Sequence, residues 1–155
     1  MARKKNSASL PENELKFELP SISVNESTAR SIVSSFIAQM NPTIEELADI
    51  KCSVSEAVTN AIVHGYANMR GTIFISVKLY TDRLVKIEIK DKGVGISDIK
   101  TAMTPLFTTD TSGERSGMGF AVMESFSDSL RVRSSLEKGT CVIMTKKLSS
   151  IVRMS

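Results

Sequence analysis

The spacing of apolar residues changes several times along the chain, and each spacing predicts an element of secondary structure. Between residues 14 and 20, apolar residues alternate with charged ones, which predicts a half-buried strand that ends at Pro20. From residue 25 to residue 40 they recur every three or four positions, which predicts an amphipathic helix. Asn41-Pro42 ends this helix because proline restricts the residue before it.

A longer helix and a strand pair follow. Thr43 with Glu46 three positions later is typical of a capping box, and the apolar spacing continues to Gly65, which we expect to be the C-cap. The period then changes from 3.6 to 2 over residues 72–79 and 85–89. Two alternating runs with a short polar turn between them predict an antiparallel hairpin.

Residues 91–117 form the longest stretch without periodicity, and they include four glycines and one proline. Loops of this length in a compact domain are usually functional. A short helix over about residues 117–128 and strands over 130–135 and 140–148 complete the pattern. This order predicts an α+β two-layer sandwich, with the helices on one face of a mixed, mostly antiparallel sheet.

Length and composition agree with one globular domain. The chain has 155 residues, of which 41% are hydrophobic, and we expect a domain over residues 14–148 between flexible tails at 1–13 and 149–155. The net charge is +3, aromatic residues are 5% and tryptophan is absent. Proteins that bind nucleic acids usually combine a dense basic stripe with stacking aromatics, so direct contact with nucleic acid is not expected.

Two cysteines and one histidine offer little for metal chemistry. Cys52 and Cys141 are far apart in sequence and His64 has no second ligand nearby, so zinc-ligand spacing is absent. No apolar run approaches the roughly 18 residues of a membrane span, and the basic first residues lead into a polar segment. We therefore expect a cytoplasmic protein with reduced thiols and no membrane segment.

Glu56 and Asn60 share one face of the longer helix, away from its apolar side, because they are four residues apart. A carboxylate one turn from a carboxamide can offer a general base together with an oxygen ligand for Mg²⁺. The solvated polar side of an ordinary amphipathic helix gives the same pattern. The pair by itself leaves both interpretations open.

Asp91, Gly93 and Gly95 form an Asp-x-Gly-x-Gly sequence directly after the second strand of the hairpin. Glycines allow the backbone to approach a ligand closely, and a carboxylate beside them can accept a hydrogen bond from an exocyclic amine. Aspartate and glycine are also the commonest turn residues, so an ordinary turn remains the alternative. A dinucleotide fingerprint is excluded because no parallel βαβ unit follows.

A second glycine-rich run, residues 113–120, leads into the short helix. Free N–H groups at a helix N-terminus bind anions, and Arg115 adds a fork suited to phosphate. A flexible loop closed by a helix cap explains the same residues, and the P-loop pattern is absent.

The order of these three signals resembles the ATP-binding domain of the GHKL superfamily, which includes gyrase, MutL and sensor histidine kinases. Within it, residues 56–66 (EAVTNAIVHGY), 105–109 (PLFTT) and 115–120 (RSGMGF) are similar to the anti-sigma serine kinases of spore-forming bacteria. The resemblance covers about residues 15–148. It implies the superfamily's ATP-binding fold and an ATP-dependent protein serine kinase.

The resemblance also implies roles for matching positions. Glu56 would be the general base toward an acceptor serine, and Asn60 would bind ATP and ligate Mg²⁺. Asp91 would accept a hydrogen bond from the adenine amino group. The remaining ATP-binding positions would be Gly93, Gly95, Thr108, Arg115, Ser116, Gly117, Gly119 and Thr140.

The implied partners are a sporulation sigma factor, sigma F, held inactive by a homodimer, and an anti-anti-sigma factor whose serine is phosphorylated. Arg30, on the first predicted helix, matches the position that contacts both partners. A histidine-kinase catalytic domain is an alternative, although His64 near a helix end is a poor phosphoacceptor candidate. A GHKL ATPase module and a pure interaction module are further alternatives; the first usually carries additional domains, and the second need not retain the site residues.

Overall fold

The computed structural model describes residues 10–96 and 119–149. Over these residues the chain forms five strands and three α-helices. The strands are β1 (Asn13–Pro20), β2 (Thr72–Leu79), β3 (Leu84–Lys90), β4 (Ser129–Ser135) and β5 (Gly139–Lys147). The helices are α1 (Val24–Ile37), α2 (Ile44–Asn60) and α3 (Gly119–Phe126).

The described strands form one sheet in the order β1-β2-β3-β5-β4, and each neighbouring pair is antiparallel. Buried and partly exposed residues alternate strictly along β2, as expected for a sheet with one covered face. The predicted hairpin is confirmed: Ile75 of β2 pairs with Ile89 of β3, and Tyr80 N–H donates to the Leu84 carbonyl across the turn at 3.0 Å.

All three helices cover the same face of the sheet, and the predicted two-layer α+β sandwich is therefore confirmed. α1 and α3 both pack against α2, which lies over the centre of the sheet. The core between the layers consists of aliphatic side chains from both, including Val33, Ile37, Val54, Val58, Ile73, Val77, Ile87, Met123 and Met144. Because the helical and strand periods were both readable, the sequence predicted this arrangement correctly.

The start of α2 is fixed by the predicted capping box. The Glu46 N–H donates to Thr43 Oγ1 at 3.1 Å, and the Thr43 N–H donates to Glu46 Oε1 at 2.9 Å. The same carboxylate also accepts hydrogen bonds from the backbone N–H of Ser149, at 2.8 Å, and from its hydroxyl, at 3.2 Å. Glu46 therefore ties the end of the described chain to the helix layer.

The end of α2 differs from the prediction. After Asn60 the helix continues as one π-helical turn over Ala61–Gly65, and the residue that caps it is Tyr66. Gly65 is not in the left-handed conformation of a C-cap glycine, since only Gly95 and Gly139 have positive φ among the described glycines. The predicted capping role of Gly65 is wrong, and its function is steric, as described below.

None of the helices in the described part of the chain is long and apolar enough to cross a membrane.

Candidate functional site

Glu56 and Asn60 lie one turn apart near the end of α2, and both side chains face the first residue of α3. A Cβ on Gly119 would lie 3.1 Å from Glu56 Oε2 and 3.1 Å from Asn60 Nδ2. Residue 119 must therefore be small if the carboxylate and the carboxamide are to keep their positions. Three of the predicted site residues are brought together at the junction of α2 and α3.

Asp91 follows the last residue of β3, and it is 5% exposed. Its backbone is held by Thr140 of β5, with Asp91 N–H donating to the Thr140 carbonyl at 2.9 Å and Thr140 N–H donating back at 3.2 Å. Burial raises the pKa of the Asp91 carboxyl, although hydrogen bonds from the backbone of Gly93 and Thr140 act in the opposite direction. The fold thus holds the Asp91 carboxyl, a desolvated hydrogen-bond acceptor, at the end of β3.

The π-helical turn makes room for this carboxyl. A Cβ on Gly65 would lie 2.7 Å from the carboxyl carbon of Asp91, a distance that no real Cβ contact tolerates. The glycine at the end of the turn therefore lets the helix layer and the sheet layer meet at Asp91. The sequence indicated a special role for Gly65, but the contact with Asp91 spans 26 positions and has no local signal.

The Asp-x-Gly-x-Gly segment folds back onto the same turn. The Gly93 N–H donates to Asp91 Oδ1 at 2.9 Å, and the Val94 N–H donates to the Gly65 carbonyl at 2.8 Å. A Cβ on Gly93 would lie 1.8 Å from that carbonyl oxygen. Gly95 has φ +75° and passes so close to the Ser135 carbonyl that a Cβ would lie 2.0 Å from it. Both glycines are required by close backbone approach.

Thr140 closes the opposite side of Asp91. It is 9% exposed, and its hydroxyl lies 2.8 Å from Ser134 Oγ. Ser134 also accepts a hydrogen bond from the Ile96 N–H at 2.7 Å. Gly139, with φ +94°, precedes Thr140 and passes close to the Asp91 carbonyl, where a Cβ would lie 2.1 Å from the oxygen. Ser134 was not predicted from the sequence because a serine in a strand carries no local signal for this contact.

Tyr66 is a second residue that sequence reasoning missed. Its hydroxyl donates to the Thr72 carbonyl and accepts a hydrogen bond from the Lys92 N–H at 2.8 Å. The ring lies against Gly71, where a Cβ would overlap the ring carbons. Tyr66 therefore holds the backbone after Asp91 in place, through a contact with Lys92 that is distant in sequence.

Four predicted phosphate-site residues lie outside the described part of the chain. They are Thr108, Arg115, Ser116 and Gly117. Their expected roles stay predictions, as does most of the long glycine-rich loop. The described residues therefore define only the helix, sheet and glycine contacts around Glu56, Asn60, Asp91 and Gly119.

Arg30 connects α1 to α2. Its Nη1 donates to Glu26 Oε1 at 3.0 Å and to Ser55 Oγ at 3.2 Å, and 39% of its side chain is exposed. Ser55 directly precedes Glu56 on α2. Arg30 is thus partly exposed and at the same time in contact with Ser55, the residue before the predicted base.

The residues at the junction of α2 and α3 offer an oxygen ligand for a hard cation that is held together with a nucleotide. The described residues contain no group of three or more His, Cys, Asp or Glu side chains that could hold a metal ion. Mg²⁺ in nucleotide sites is bound by one or two protein oxygens together with phosphates and water. The Asn60 carboxamide can supply such an oxygen.

Comparisons with known proteins identify the family and the fold of the chain. Residues 20–146 match the histidine kinase-like ATPase domain family. A crystal structure of the RsbU and RsbW domains of a Mycobacterium tuberculosis protein superposes with a TM-score of 0.68 at 24% identity, over 94% of this chain and 35% of that chain. A histidine kinase domain from Erythrobacter litoralis gives a TM-score of 0.52 at 17% identity, over 79% of this chain and 61% of the other. At these identities the structures are similar in fold alone.

Sequence relatives are much more similar. The anti-sigma F factor of Bacillus velezensis is 53% identical over 138 residues, which cover 88% of this chain and 94% of the relative. That of Clostridium novyi is 51% identical over 140 residues, covering 90% of this chain and 97% of the relative. The chain belongs to the histidine kinase-like ATPase family and, within it, to the anti-sigma F factors. The resemblance drawn from the three motifs is therefore confirmed.

Proposed function

We propose that the protein inhibits the sporulation sigma factor sigma F and, as a cytoplasmic homodimer, phosphorylates a serine of an anti-anti-sigma factor with ATP and Mg²⁺. The observation that carries the kinase proposal is the position of Glu56 and Asn60, which face one point beside Gly119. A base and a metal-ligating carboxamide beside a helix start are the parts that positioned phosphoryl transfer requires. Membership among the anti-sigma F factors supports the choice of sigma factor.

Asp91 would recognise adenine. Its buried carboxyl keeps acceptor capacity beyond the hydrogen bond from Gly93, and an exocyclic amino group can donate to it. A guanine base presents a carbonyl oxygen at the corresponding position, and two acceptors would repel each other there. The pocket is therefore expected to select ATP over GTP.

Glu56 would accept the proton of the acceptor serine hydroxyl. The serine oxygen then forms its bond to the transferred phosphorus, the bond from phosphorus to the bridging oxygen breaks, and ADP leaves. Mg²⁺ neutralises charge on the phosphates during such a transfer, and Asn60 is the described residue that would contribute an oxygen ligand. The proton goes to Glu56 and the phosphoryl group goes to the serine, so the transfer requires no further reactant.

Sigma-factor binding would use the α1 surface around Arg30. The guanidinium is held by Glu26 and Ser55 while more than a third of the side chain stays exposed, so it is oriented and still reachable. A preorganised arginine loses less entropy on binding than a free one. Its contact with Ser55, next to Glu56, supports a surface that serves both partners of the kinase.

Calorimetric titration tests the nucleotide site first. ATP is titrated into the purified protein with and without Mg²⁺, and GTP serves as the control for base selectivity. We expect Mg²⁺ to strengthen ATP binding and GTP to bind at least about tenfold more weakly. If neither nucleotide binds, the proposed kinase activity is wrong, and only the proposed binding of the sigma factor is left. A second titration, with sigma F in the presence of ATP, tests that binder separately.

A further inference from the structure

The face of the sheet opposite the helices carries positive charge for which the described residues provide too few acidic partners. Alternation places Lys16, Lys78, Lys86, Lys90, Arg131 and Arg133 on this face together with Glu14, Glu18 and Glu88. Two of the lysines are paired, Lys16 with Glu14 at 3.2 Å and Lys86 with Glu88 at 3.4 Å. The described residues provide no ion pair for Lys78, Lys90, Arg131 or Arg133.

Three of these cations are grouped at one side of the sheet. Arg131 and Arg133 are two residues apart on β4, so both point to the open face with a spacing of about 7 Å. The register places Lys90 of β3 opposite Cys141 and Cys141 opposite Arg133. The neighbouring carboxylate, Glu88, already forms an ion pair with Lys86. The result is a local excess of positive charge centred on β4.

β4 is also an edge strand. It pairs with β5 on one side, and no described strand pairs with its other side. The free edge of a strand is a row of N–H and C=O groups that an extended segment of another protein can join. Within the described part of the chain, an open strand edge and two arginines without an ion pair therefore coincide on one seven-residue strand.

We propose that the edge of β4 docks an extended acidic segment of a partner protein, with carboxylates on alternate residues contacting Arg131 and Arg133. The alternation of the two arginines matches a strand with Asp or Glu at every second position, because successive side chains of a strand point to opposite faces. The charge complementarity selects the occupant, and the backbone pairing fixes its direction and register.

Two other occupants fit less well. A second copy of this chain would have to offer its acidic edge, β1, which carries Glu14 and Glu18. A contact between two different edges is heterologous, so repeated copies would build a ring or an open chain rather than a two-fold dimer. Nucleic acid would use aromatic platforms, yet Phe74 is the aromatic residue that the described strands place on this face, and Lys92 Nζ already lies 4.8 Å from its ring centre.

The test uses a labelled peptide of about ten residues in which Glu and Thr alternate, titrated by fluorescence anisotropy into the full-length protein. The control peptide has the same composition with all Glu residues in one block. We expect the alternating peptide to bind at least about tenfold more tightly than the control, and its affinity to fall when salt is raised from about 50 to about 300 mM. A 20-base-pair DNA duplex, about two helical turns, is titrated in the same way to test for nucleic-acid binding. Sedimentation of the protein alone tests for self-association.

Two variants locate the binding. Charge reversal in Arg131→Glu/Arg133→Glu should weaken the alternating peptide at least about tenfold, whereas Lys78→Glu, on the same face of β2, should change its affinity less than about twofold. If the double variant unfolds, amide chemical shifts of the wild-type protein decide, and peptide-induced changes should centre on residues 129–135. The proposal would be overturned if the wild type and the folded double variant bound the peptide equally. It would also be overturned by tighter binding of the duplex, by self-association through β4, or by shifts away from β4. In the first case the arginines only protect the edge.

Discussion

The carboxyl group of Asp91 occupies the space that a side chain on Gly65 would fill. A Cβ on Gly65 would lie 2.7 Å from the Asp91 carboxyl carbon and 2.8 Å from each oxygen. Gly65 ends the π-helical turn that continues α2, and Asp91 follows β3, so the contact joins the two layers of the sandwich. The position of the Asp91 carboxyl therefore depends on the absence of a side chain at residue 65.

The substitution Gly65→Ala should weaken nucleotide binding strongly while lowering the stability of the fold only moderately. The added methyl group must displace the Asp91 carboxyl, because the carboxyl carbon lies only 2.7 Å from the position of the new Cβ. We expect ATP affinity to fall at least about tenfold and the melting temperature to fall by about 2–6 °C. Calorimetric titration and thermal unfolding by circular dichroism measure the two effects.

A double-mutant cycle isolates this contact. Asp91→Ala removes the carboxyl and so vacates the space that the new methyl group needs. Gly65→Ala should therefore cost less stability in the Asp91→Ala background than in the wild type, by an interaction free energy on the order of 1 kcal/mol. Equal costs in both backgrounds would mean that the two residues do not share this space.

Asp91→Asn should stabilise the protein while abolishing nucleotide binding. Burial raises the pKa of Asp91 above its ordinary value of 3.8, so ionisation of the folded state costs free energy. The stability that the protonated carboxyl contributes is complete below the unfolded pKa and is lost as pH rises through the folded pKa. The neutral amide avoids this loss, and we expect a melting temperature about 2–4 °C higher at pH 7.5.

The pH dependence and a matched variant check the cause. The difference between Asp91→Asn and wild type should close as pH is lowered below 3.8, where both side chains are neutral. Asp82→Asn, in the exposed turn between β2 and β3, changes the net charge equally and should leave the melting temperature within about 1 °C. A stabilisation of the same size from Asp82→Asn would assign the effect to net charge rather than burial.

Glu56→Gln should separate catalysis from binding. The amide keeps the shape of the side chain beside Gly119 but cannot accept the proton of the acceptor serine. We expect phosphorylation of the anti-anti-sigma factor to fall at least about a hundredfold while the dissociation constant for ATP changes less than about threefold. Glu124→Gln, on the exposed side of α3, is the control and should phosphorylate at the wild-type rate. A wild-type rate in Glu56→Gln would rule out Glu56 as the base.

Arg30→Ala should weaken sigma F binding without loss of nucleotide. The guanidinium is lost together with its hydrogen bonds to Glu26 and Ser55, and an anchoring arginine at an interface is worth about 2 kcal/mol or more. Ser55→Ala removes one of those hydrogen bonds and keeps the cation, so its affinity for sigma F should stay within about threefold of wild type. An unchanged sigma F dissociation constant in Arg30→Ala would make this residue a purely structural link between α1 and α2.

The local pattern of the sequence was sufficient for the elements and for locating the segment around Asp91. Strands, helices and the capping box of Thr43 and Glu46 are each determined by residues close in sequence, and their observed bounds differ from the predicted ones by a few residues at most. Asp91 with Gly93 and Gly95 was identifiable because the motif directly follows a strand. These features depend on short-range physics, which the sequence displays directly.

The rest depends on contacts between positions far apart in sequence. Gly65 has the composition signal of a C-cap, yet its role is set by Asp91, and the helix runs on through a π-helical turn that no periodicity predicts. Tyr66 and Ser134 were missed for the same reason, since their partners Lys92 and Ile96 lie 26 and 38 positions away. A single sequence contains no local mark of such pairs.

Glu46→Gln should weaken the attachment of Ser149 and remove a source of stability at neutral pH. Partial burial raises the pKa of Glu46, but hydrogen bonds from Thr43 and Ser149 outweigh it and leave the pKa below its ordinary value of 4.5. The resulting stability is present above pH 4.5 and is lost as pH falls through the lower folded pKa. An amide accepts at one atom only, so we expect the variant to melt about 2–4 °C lower at pH 7 and to match wild type in strong acid. Glu45→Gln, exposed in the same turn, should show neither effect, and an equal loss there would assign the change to the helix dipole.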